Sequence, residues 1–133
     1  MEILQIDHIV LRTDKLEQML RFYCDVLGCK VERETSPEFG LIQLRAGNAL
    51  IDLVSTDGKL GKLGGGPPTS TENNVDHFCL QLKTISEQEI THHLKLHNID
   101  TNEFADRYGA QGMGRSIYIK DPQGNTVELR SQQ

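Results

Sequence analysis

The sequence predicts an α+β fold made of two copies of one βαβββ module. A strand pattern, an amphipathic helix pattern and three more strand patterns follow one another, and the same order recurs in the second half of the chain. The halves also share letters at matching places: Ile6-Asp7-His8-Ile9 corresponds to Val75-Asp76-His77-Phe78, and Asp52-Leu53-Val54-Ser55 corresponds to Glu128-Leu129-Arg130-Ser131. We therefore expect a single domain over residues 1–133, with module 1 at about residues 1–56, a linker at 57–74 and module 2 at about 75–133.

Length, charge and cysteine content restrict the class of protein. A chain of 133 residues with 37% hydrophobic and 25% charged residues can build one globular core. The net charge of −5 and the scattered basic residues argue against a nucleic-acid partner, and no apolar run approaches the ~20 residues of a membrane span. Three cysteines without CxxC spacing indicate free thiols, and the N-terminus lacks a signal-peptide pattern. We expect a cytoplasmic protein with a small-molecule partner and no membrane partner.

The first half reads as a strand, a helix and three strands. Residues 5–13 alternate in polarity, so that His8 and Arg12 share one face. Asp14 is predicted to cap the helix, with Glu17 completing a capping box, and Gly28 is placed to end it. The remaining strands are predicted at residues 30–35, 39–45 and 49–55.

Residues 56–74 differ in composition from the rest of the chain. They are rich in glycine and proline and carry few apolar side chains, which is typical of a linker or a mobile loop. The segment has no GxxxxGK[ST] pattern, so a phosphate-binding loop is excluded.

The second half repeats the order of the first. Residues 75–82 alternate, which places His77 and Cys79 on the face opposite Phe78. Ser86 and Glu89 have the spacing of a capping box at the start of the second helix. Further strands are predicted at residues 101–108 and in a hairpin over 114–130, whose turn lies at 121–125.

Each half carries a histidine on its first strand and a carboxylate on its last strand. If the apolar strand faces pack on the helices, the opposite faces line a concavity that receives these four side chains. Two imidazoles and two carboxylates form a typical ligand set for a divalent transition metal, whereas two uncompensated carboxylates close together would repel each other. The candidate metal ligands are His8, Asp52, His77 and Glu128.

Simpler interpretations compete with these assignments. A single strand histidine is more often structural than a ligand, and it is the duplicated placement that favours a metal site. His93 and His97 lie four residues apart on the second helix without a third ligand nearby in sequence, so we interpret them as a polar helix edge. The three cysteines are expected to be small buried hydrophobic residues.

The chain resembles the vicinal oxygen chelate superfamily, which includes glyoxalase I, extradiol dioxygenases, fosfomycin-resistance thiol transferases and bleomycin-binding proteins. The resemblance covers nearly the whole chain and rests on the doubled βαβββ order and on three stretches, IDHIVLRTDKLEQMLRFYCDVLG, VDHFCLQL and GRSIYIKDPQGNTVELR. It implies that the modules form a cup-shaped mixed β-sheet, with helices on the outer face, around one divalent metal ion (Zn, Ni, Mn or Fe). It also implies a homodimer.

The resemblance carries over to individual ligands with one departure. His8, His77 and Glu128 match the usual metal ligands of the superfamily. Asp52 stands where glyoxalase I-like members usually carry glutamate, and its side chain is shorter by one carbon–carbon bond of ~1.5 Å. Asp52 either ligates, directly or through water, or leaves a set of two histidines and one carboxylate like that of the dioxygenases and fosfomycin enzymes.

Four further positions are implied as substrate contacts. Arg12 lies where glyoxalase I carries an arginine for the glutathione carboxylate, although Thr56 replaces an asparagine of that site. Ser116 and Tyr118 match substrate-facing positions of fosfomycin-type members. Arg12 and Arg130 both fall on predicted cup-facing positions, which indicates an anionic substrate.

The leading hypothesis is a metal-dependent lyase or isomerase of glyoxalase type acting on a small, anionic, oxygenated substrate. The metal would chelate two substrate oxygens and stabilise a developing enediolate, with Glu128 as the base and Asp52 as the group that returns the proton. A dioxygenase or a thiol transferase on the same metal site is an alternative. A non-enzymatic binding or resistance protein is a further one.

Overall fold

The computed structural model describes residues 1–132, which divide into two compact units, one over residues 1–71 and one that begins at residue 72. Each unit contains one βαβββ module and one four-stranded mixed sheet. The predicted α+β fold of two such modules is therefore confirmed. No helix within residues 1–132 has the length and apolarity needed to cross a membrane.

Module 1 contains a helix that changes its winding. Strand β1 (His8–Thr13) leads into α1 (Leu16–Leu20), which continues as a π-helix over Arg21–Val26. Strands β2 (Lys30–Glu34), β3 (Leu41–Ala46) and β4 (Ala49–Ser55) follow. The sheet has the order β1-β4-β3-β2, in which β1 is parallel to β4 and the other neighbours are antiparallel.

Module 2 has the same topology. Its elements are β5 (His77–Leu82), α3 (Glu87–Leu96), β6 (Ala105–Gly109), β7 (Gly112–Lys120) and β8 (Thr126–Ser131), and its sheet has the order β5-β8-β7-β6. Strand β5 is parallel to β8, and the other neighbours are antiparallel. The segment between the modules contains a short helix, α2 (Lys59–Lys62), in the stretch predicted as a linker.

Each core lies on the apolar face of its own sheet. Alternation along the strands places apolar side chains on this face, and the helix of the same module contributes the rest. Module 1 buries Met19, Phe22, Tyr23, Leu44, Ile51 and Leu53, and module 2 buries Ile90, Leu94, Ile117, Ile119, Val127 and Leu129. The opposite face of each sheet is therefore left for polar side chains.

The two predicted capping boxes had different outcomes. Ser86 caps α3 and forms the full box with Glu89, as predicted. The prediction for Asp14 and Glu17 was wrong, because α1 begins at Leu16 with Lys15 in the capping position and no side-chain cap. Thr13 Oγ1 instead accepts a hydrogen bond from the Lys15 backbone N–H at 2.9 Å. Gly28 follows the helix with φ of +77°, a left-handed conformation that glycine adopts without steric cost.

Candidate metal centre

In both modules, the strand register places the histidine and the carboxylate on the same polar face. His8 pairs with Leu50 across β1 and β4, and Asp52 pairs with Val10. His77 pairs with Thr126 across β5 and β8, and Glu128 pairs with Cys79. In each case the carboxylate therefore lies two residues beyond the cross-strand partner of the histidine. The sequence repeat therefore corresponds to the same strand register in both modules.

The pair in module 2 is in close contact. His77 Nε2 lies 3.2 Å from Glu128 Oε2, and His77 Nδ1 lies 2.7 Å from Asp76 Oδ2. The Glu128 side chain is almost fully buried. With Nδ1–H donated to Asp76, the Nε2 lone pair faces a carboxylate oxygen, and two electron-rich atoms at this distance require a proton or a metal cation between them.

The pair in module 1 leaves a carboxylate oxygen without a partner. Asp52 is 3% exposed, and its Oδ2 accepts a hydrogen bond from Gln43 Nε2 at 3.0 Å. Its Oδ1 is buried and has no hydrogen-bond partner. His8 Nδ1 lies 2.6 Å from Asp7 Oδ1, and this hydrogen bond is the main reason that the pKa of His8 is raised. The negative charge of Asp52 raises the pKa of His8 further.

Three residues that support the candidate ligands were not predicted. Asp7 and Asp76 each contact the Nδ1 atom of the following histidine, which leaves Nε2 as the nitrogen that would ligate a metal ion. The repeated Asp-His dipeptide in the two halves was a usable signal for them. Gln43 holds Asp52 across the strands, and its amide oxygen accepts a hydrogen bond from Arg33 Nη1 at 3.0 Å. Gln43 had no sequence signal, because its role depends on the β3–β4 register.

The donor atoms fit a divalent metal, although neither module supplies a complete ligand set. Within residues 1–132, no group of three or more His, Cys, Asp or Glu side chains is arranged to hold a metal ion. Each module instead offers one imidazole nitrogen and one carboxylate, and the Asp52 Oδ1 atom without a hydrogen bond is the kind of donor that a metal ion satisfies.

The predicted substrate contacts of module 2 lie on the face that carries Glu128. Tyr118 pairs with Glu128 across β7 and β8, and its ring packs edge-on against His77 with centroids 5.2 Å apart. Ser116 pairs with Arg130, and both are buried. Arg107 was not predicted. Its Nη1 donates to the Ser116 carbonyl oxygen (2.7 Å) and to Ser116 Oγ (3.1 Å), and its guanidinium carbon lies 4.1 Å from the Tyr118 ring centroid.

Arg12 shares a face of β1 with His8 but binds the segment that follows β4. Its Nη2 donates to the carbonyl oxygens of Gly61 (2.9 Å) and Gly65 (2.6 Å). A Cβ atom at Gly64 would lie 2.3 Å from Arg12 Nε, so a larger residue at this position would displace the Arg12 side chain. Arg12 thus anchors the beginning of the predicted linker to module 1. Its predicted contact with substrate stays a prediction.

Comparison with known proteins identifies the family. A sequence profile of the Glyoxalase/Bleomycin resistance protein/Dioxygenase superfamily matches residues 5–129. The chain belongs to this superfamily. Among curated proteins, it is 30% identical over 132 residues to biphenyl-2,3-diol 1,2-dioxygenase 3 of Rhodococcus globerulus, with 92% of the chain covered. The chain spans 60% of the length of that relative.

Two solved structures share the fold over almost the full chain. An integron cassette protein from Vibrio cholerae is 26% identical with a TM-score of 0.77, covering 100% of this chain and 98% of its own. Lactoylglutathione lyase from Agrobacterium tumefaciens is 22% identical with a TM-score of 0.68, covering 96% and 92% of the two chains. The second likeness is evidence for the fold alone.

The cysteines of this superfamily member differ from the expectation that all three are buried. Cys29 is buried and Cys24 is partly buried, but Cys79 is exposed. Cys79 lies on the polar face of β5, the edge strand of its sheet, so no neighbouring strand covers it on one side. Burial is nevertheless the main reason that the pKa of the Cys79 thiol is raised to about 11, with Glu128 adding to the shift.

Proposed function

We propose that this superfamily member is a divalent-metal-dependent enzyme of glyoxalase type, a lyase or isomerase acting on a small anionic substrate. His8 and Asp52 of module 1 and His77 and Glu128 of module 2 would bind the metal ion. The observation that carries the proposal is the buried Asp52 Oδ1 atom without a hydrogen-bond partner. A buried carboxylate is destabilising unless its oxygens are paired, and a metal ion pairs them.

The contact between His77 and Glu128 supports the same assignment. The Nε2 to Oε2 distance of 3.2 Å suits two atoms that share a cation. In each module an aspartate on Nδ1 holds the histidine in the tautomer that ligates through Nε2. The two modules thus offer equivalent half-sites from independent sets of residues.

Glu128 and Asp52 would transfer the proton of the substrate. A bound divalent metal supplies Lewis acidity that polarises two oxygens of the substrate. Glu128 would accept a proton from the carbon next to the substrate carbonyl and release it to solvent, and Asp52, after taking up a proton from solvent, would return it to the neighbouring carbon. Ser116, Tyr118 and Arg130 would orient the substrate from the polar face of module 2, and Arg12 would contribute positive charge from module 1.

Metal titration and solvent exchange test the proposal. Protein purified without chelator is analysed for metal, titrated with Zn, Ni, Mn and Fe, and incubated in D2O with a panel of 2-oxo and 2-hydroxy acids and aldehydes. We expect metal-dependent exchange of the substrate C–H for deuterium in NMR spectra, and loss of exchange in Glu128→Gln with the fold retained. Asp52→Asn should lose metal affinity, whereas Asp57→Asn, an exposed control, should not. Failure to bind any metal would instead support a non-enzymatic binding protein.

A dioxygenase is the second candidate, and the 30% identical relative with that name favours it. Such a reaction would use iron and molecular oxygen on the same ligands, most simply with two histidines and one carboxylate. Oxygen consumption by the Fe(II)-loaded protein with an aromatic vicinal diol would favour this class. Exchange without oxygen consumption would favour the lyase or isomerase.

We also propose a cytoplasmic homodimer. The three free cysteines suit a reducing compartment. Strands β1 and β5 are sheet edges, and exposed apolar side chains lie on or beside them, such as Val10 and Val75. Light scattering coupled to size-exclusion chromatography measures the mass, and a mass near 15.0 kDa, that of one chain, would contradict the dimer.

A further inference from the structure

We infer that the C-terminal turn of α3 carries a second site for a divalent transition metal, formed by the imidazole rings of His93 and His97. The two residues lie four positions apart at the end of the helix, and both side chains are exposed. The site shares no residue with the candidate metal centre and does not depend on the proposed function. Imidazole ligands suit Cu²⁺, Ni²⁺ and Zn²⁺.

The helical backbone holds the two histidines one above the other. Residues four apart on an α-helix share a face, with Cβ atoms about 5–6 Å apart. The His97 backbone N–H donates to the His93 carbonyl oxygen at 3.3 Å, so the helical turn between the two residues is closed. Ile90 and Leu94 are buried and anchor the inner side of this part of the helix. The pair is therefore presented to solvent by an ordered turn.

The two rings are close enough to bind one ion. Their centroids lie 4.7 Å apart, with the ring planes inclined at 53°. Metal–nitrogen bonds of about 2.1 Å place the centroids of two imidazoles on one ion roughly 4.5–5 Å apart when the bonds meet at a right angle or a tetrahedral angle. The observed separation falls in this range. Rotation about side-chain bonds would therefore direct one nitrogen of each ring at the ion without movement of the helix.

The charge around the pair favours a cation. The C-terminal end of a helix carries partial negative charge, which stabilises cations placed there. Residues 86–100 contain three acidic residues and one basic residue, Lys95. Lys95 is two positions from each histidine, about 200° around the helix axis, so its side chain starts from another face. Glu89 lies one turn before His93 and adds negative charge on the same face.

The ligand count sets the order in which the metal sites fill. Within residues 1–132, no third His, Cys, Asp or Glu side chain completes the pair, so water would occupy the other coordination positions. The pair should therefore bind more weakly than the four ligands of the proposed centre and fill only after it. Cu²⁺ should bind most tightly of the three ions. Because the rings are neighbours only when the helix is formed, the ion would also stabilise the last turn of α3.

Copper titration of a protein without the candidate centre tests the pair alone. A variant carrying both His8→Ala and His77→Ala is titrated with Cu²⁺ by calorimetry, and electron paramagnetic resonance counts the nitrogen ligands. We expect one saturable ion per chain with two imidazole nitrogens. Adding either His93→Ala or His97→Ala should weaken binding tenfold or more. His92→Ala is the matched control, because His92 is exposed on the same helix but lines a groove with Glu87 and Phe104.

A second control tests the spacing. The exchange Lys95→His with His97→Lys keeps the composition of the helix but moves the second imidazole to another face, and it should weaken Cu²⁺ binding as much as His97→Ala does. Should the background variant unfold, NMR of the unmodified chain replaces it. The paramagnetic ion should then broaden the His93 and His97 ring resonances in the weaker of two binding steps and leave those of His92 sharp.

The outcomes separate this inference from the proposed function. The pair is excluded as a site if Cu²⁺ does not saturate, if His92→Ala weakens binding equally, or if the exchange of positions 95 and 97 leaves the affinity unchanged. Binding that depends on His93 and His97 in an unmodified protein with no tighter metal site would support the pair and remove the metal enzyme. A tight site that persists after loss of both histidines, with no weaker site, would do the reverse.

Discussion

At the scale of single residues, the candidate ligand pairs of the two modules share one Asp–His contact and differ in their carboxylate. An aspartate one residue before each histidine contacts Nδ1, and it does so in both modules although the surrounding sequences differ. The contact joins residues that are adjacent in the chain, so it forms without help from the rest of the fold. The carboxylates differ because Asp52 is held by Gln43, whereas the same cross-strand position beside Glu128 is Tyr118.

Replacing Asp76 with asparagine should weaken metal binding without unfolding the protein. The side chain of Asp76 is exposed, and the change removes the charge that fixes the His77 tautomer. Loss of such a supporting carboxylate typically lowers metal affinity 10- to 100-fold. Calorimetry measures the affinity, and long-range proton–nitrogen NMR spectra of the His77 ring report the tautomer. Asp100→Asn, another exposed acid of module 2, is the control; an equal effect in both variants would remove the positioning role.

Replacing Asp52 with asparagine should stabilise the metal-free protein. The variant keeps the shape and an acceptor for Gln43, and it removes a buried negative charge whose Oδ1 has no partner. We expect the free energy of unfolding in urea with chelator present to rise by about 1 kcal/mol, while metal uptake is lost. A clear loss of stability in the metal-free variant would mean that the carboxylate has a structural role instead.

At the scale of elements, the capping-box pattern predicted the first residue of α3 correctly and that of α1 wrongly. The Ser86 box was readable because its serine and glutamate are the capping and third helical residues of α3. The Asp14 prediction failed because α1 starts one residue later than that box requires, so Glu17 is the second helical residue. The π-helical turn over Arg21–Val26 carried no distinct pattern, since its apolar residues fit an α-helical stripe as well.

The Ser86 cap gives a pH-dependent prediction for α3. Ser86→Ala should lower the free energy of unfolding by about 1 kcal/mol at pH 7. Hydrogen bonds from the Ser86 side chain and backbone lower the pKa of Glu89 below its usual value, so their stabilising effect is present above the ordinary pKa of a glutamate and is lost as the pH falls through the lowered pKa. The penalty measured in urea should therefore be smaller at pH 3 than at pH 7. Gln88→Ala, on the exposed part of the same turn, should have little effect at either pH.

At the scale of the whole molecule, duplication made the fold and the candidate ligands readable from one sequence. Two copies of one strand–helix order gave the βαβββ modules, and the matching positions of a histidine and a carboxylate in each copy pointed to His8, Asp52, His77 and Glu128. The contacts of Gln43 and Arg107 could not be predicted from the sequence, because they depend on cross-strand neighbours that only the register defines. Arg107 also lies in the least patterned strand, predicted at residues 101–108 and observed at Ala105–Gly109.

The proposed function predicts that loss of either histidine abolishes metal binding, because it assigns one metal ion to ligands from both modules. A metal bound only to the folded protein at about 100 times its Kd stabilises it by about 2.7 kcal/mol, which for a chain of this size is a rise in Tm of roughly 10 °C. Thermal unfolding with and without excess metal should show this rise in the unmodified protein and lose it in both His8→Ala and His77→Ala. His92→Ala, an exposed histidine on α3, should retain it. A rise that survives in one ligand variant would assign the metal to the other module alone, because a site sharing one ion between two pairs cannot keep its affinity when either pair is broken.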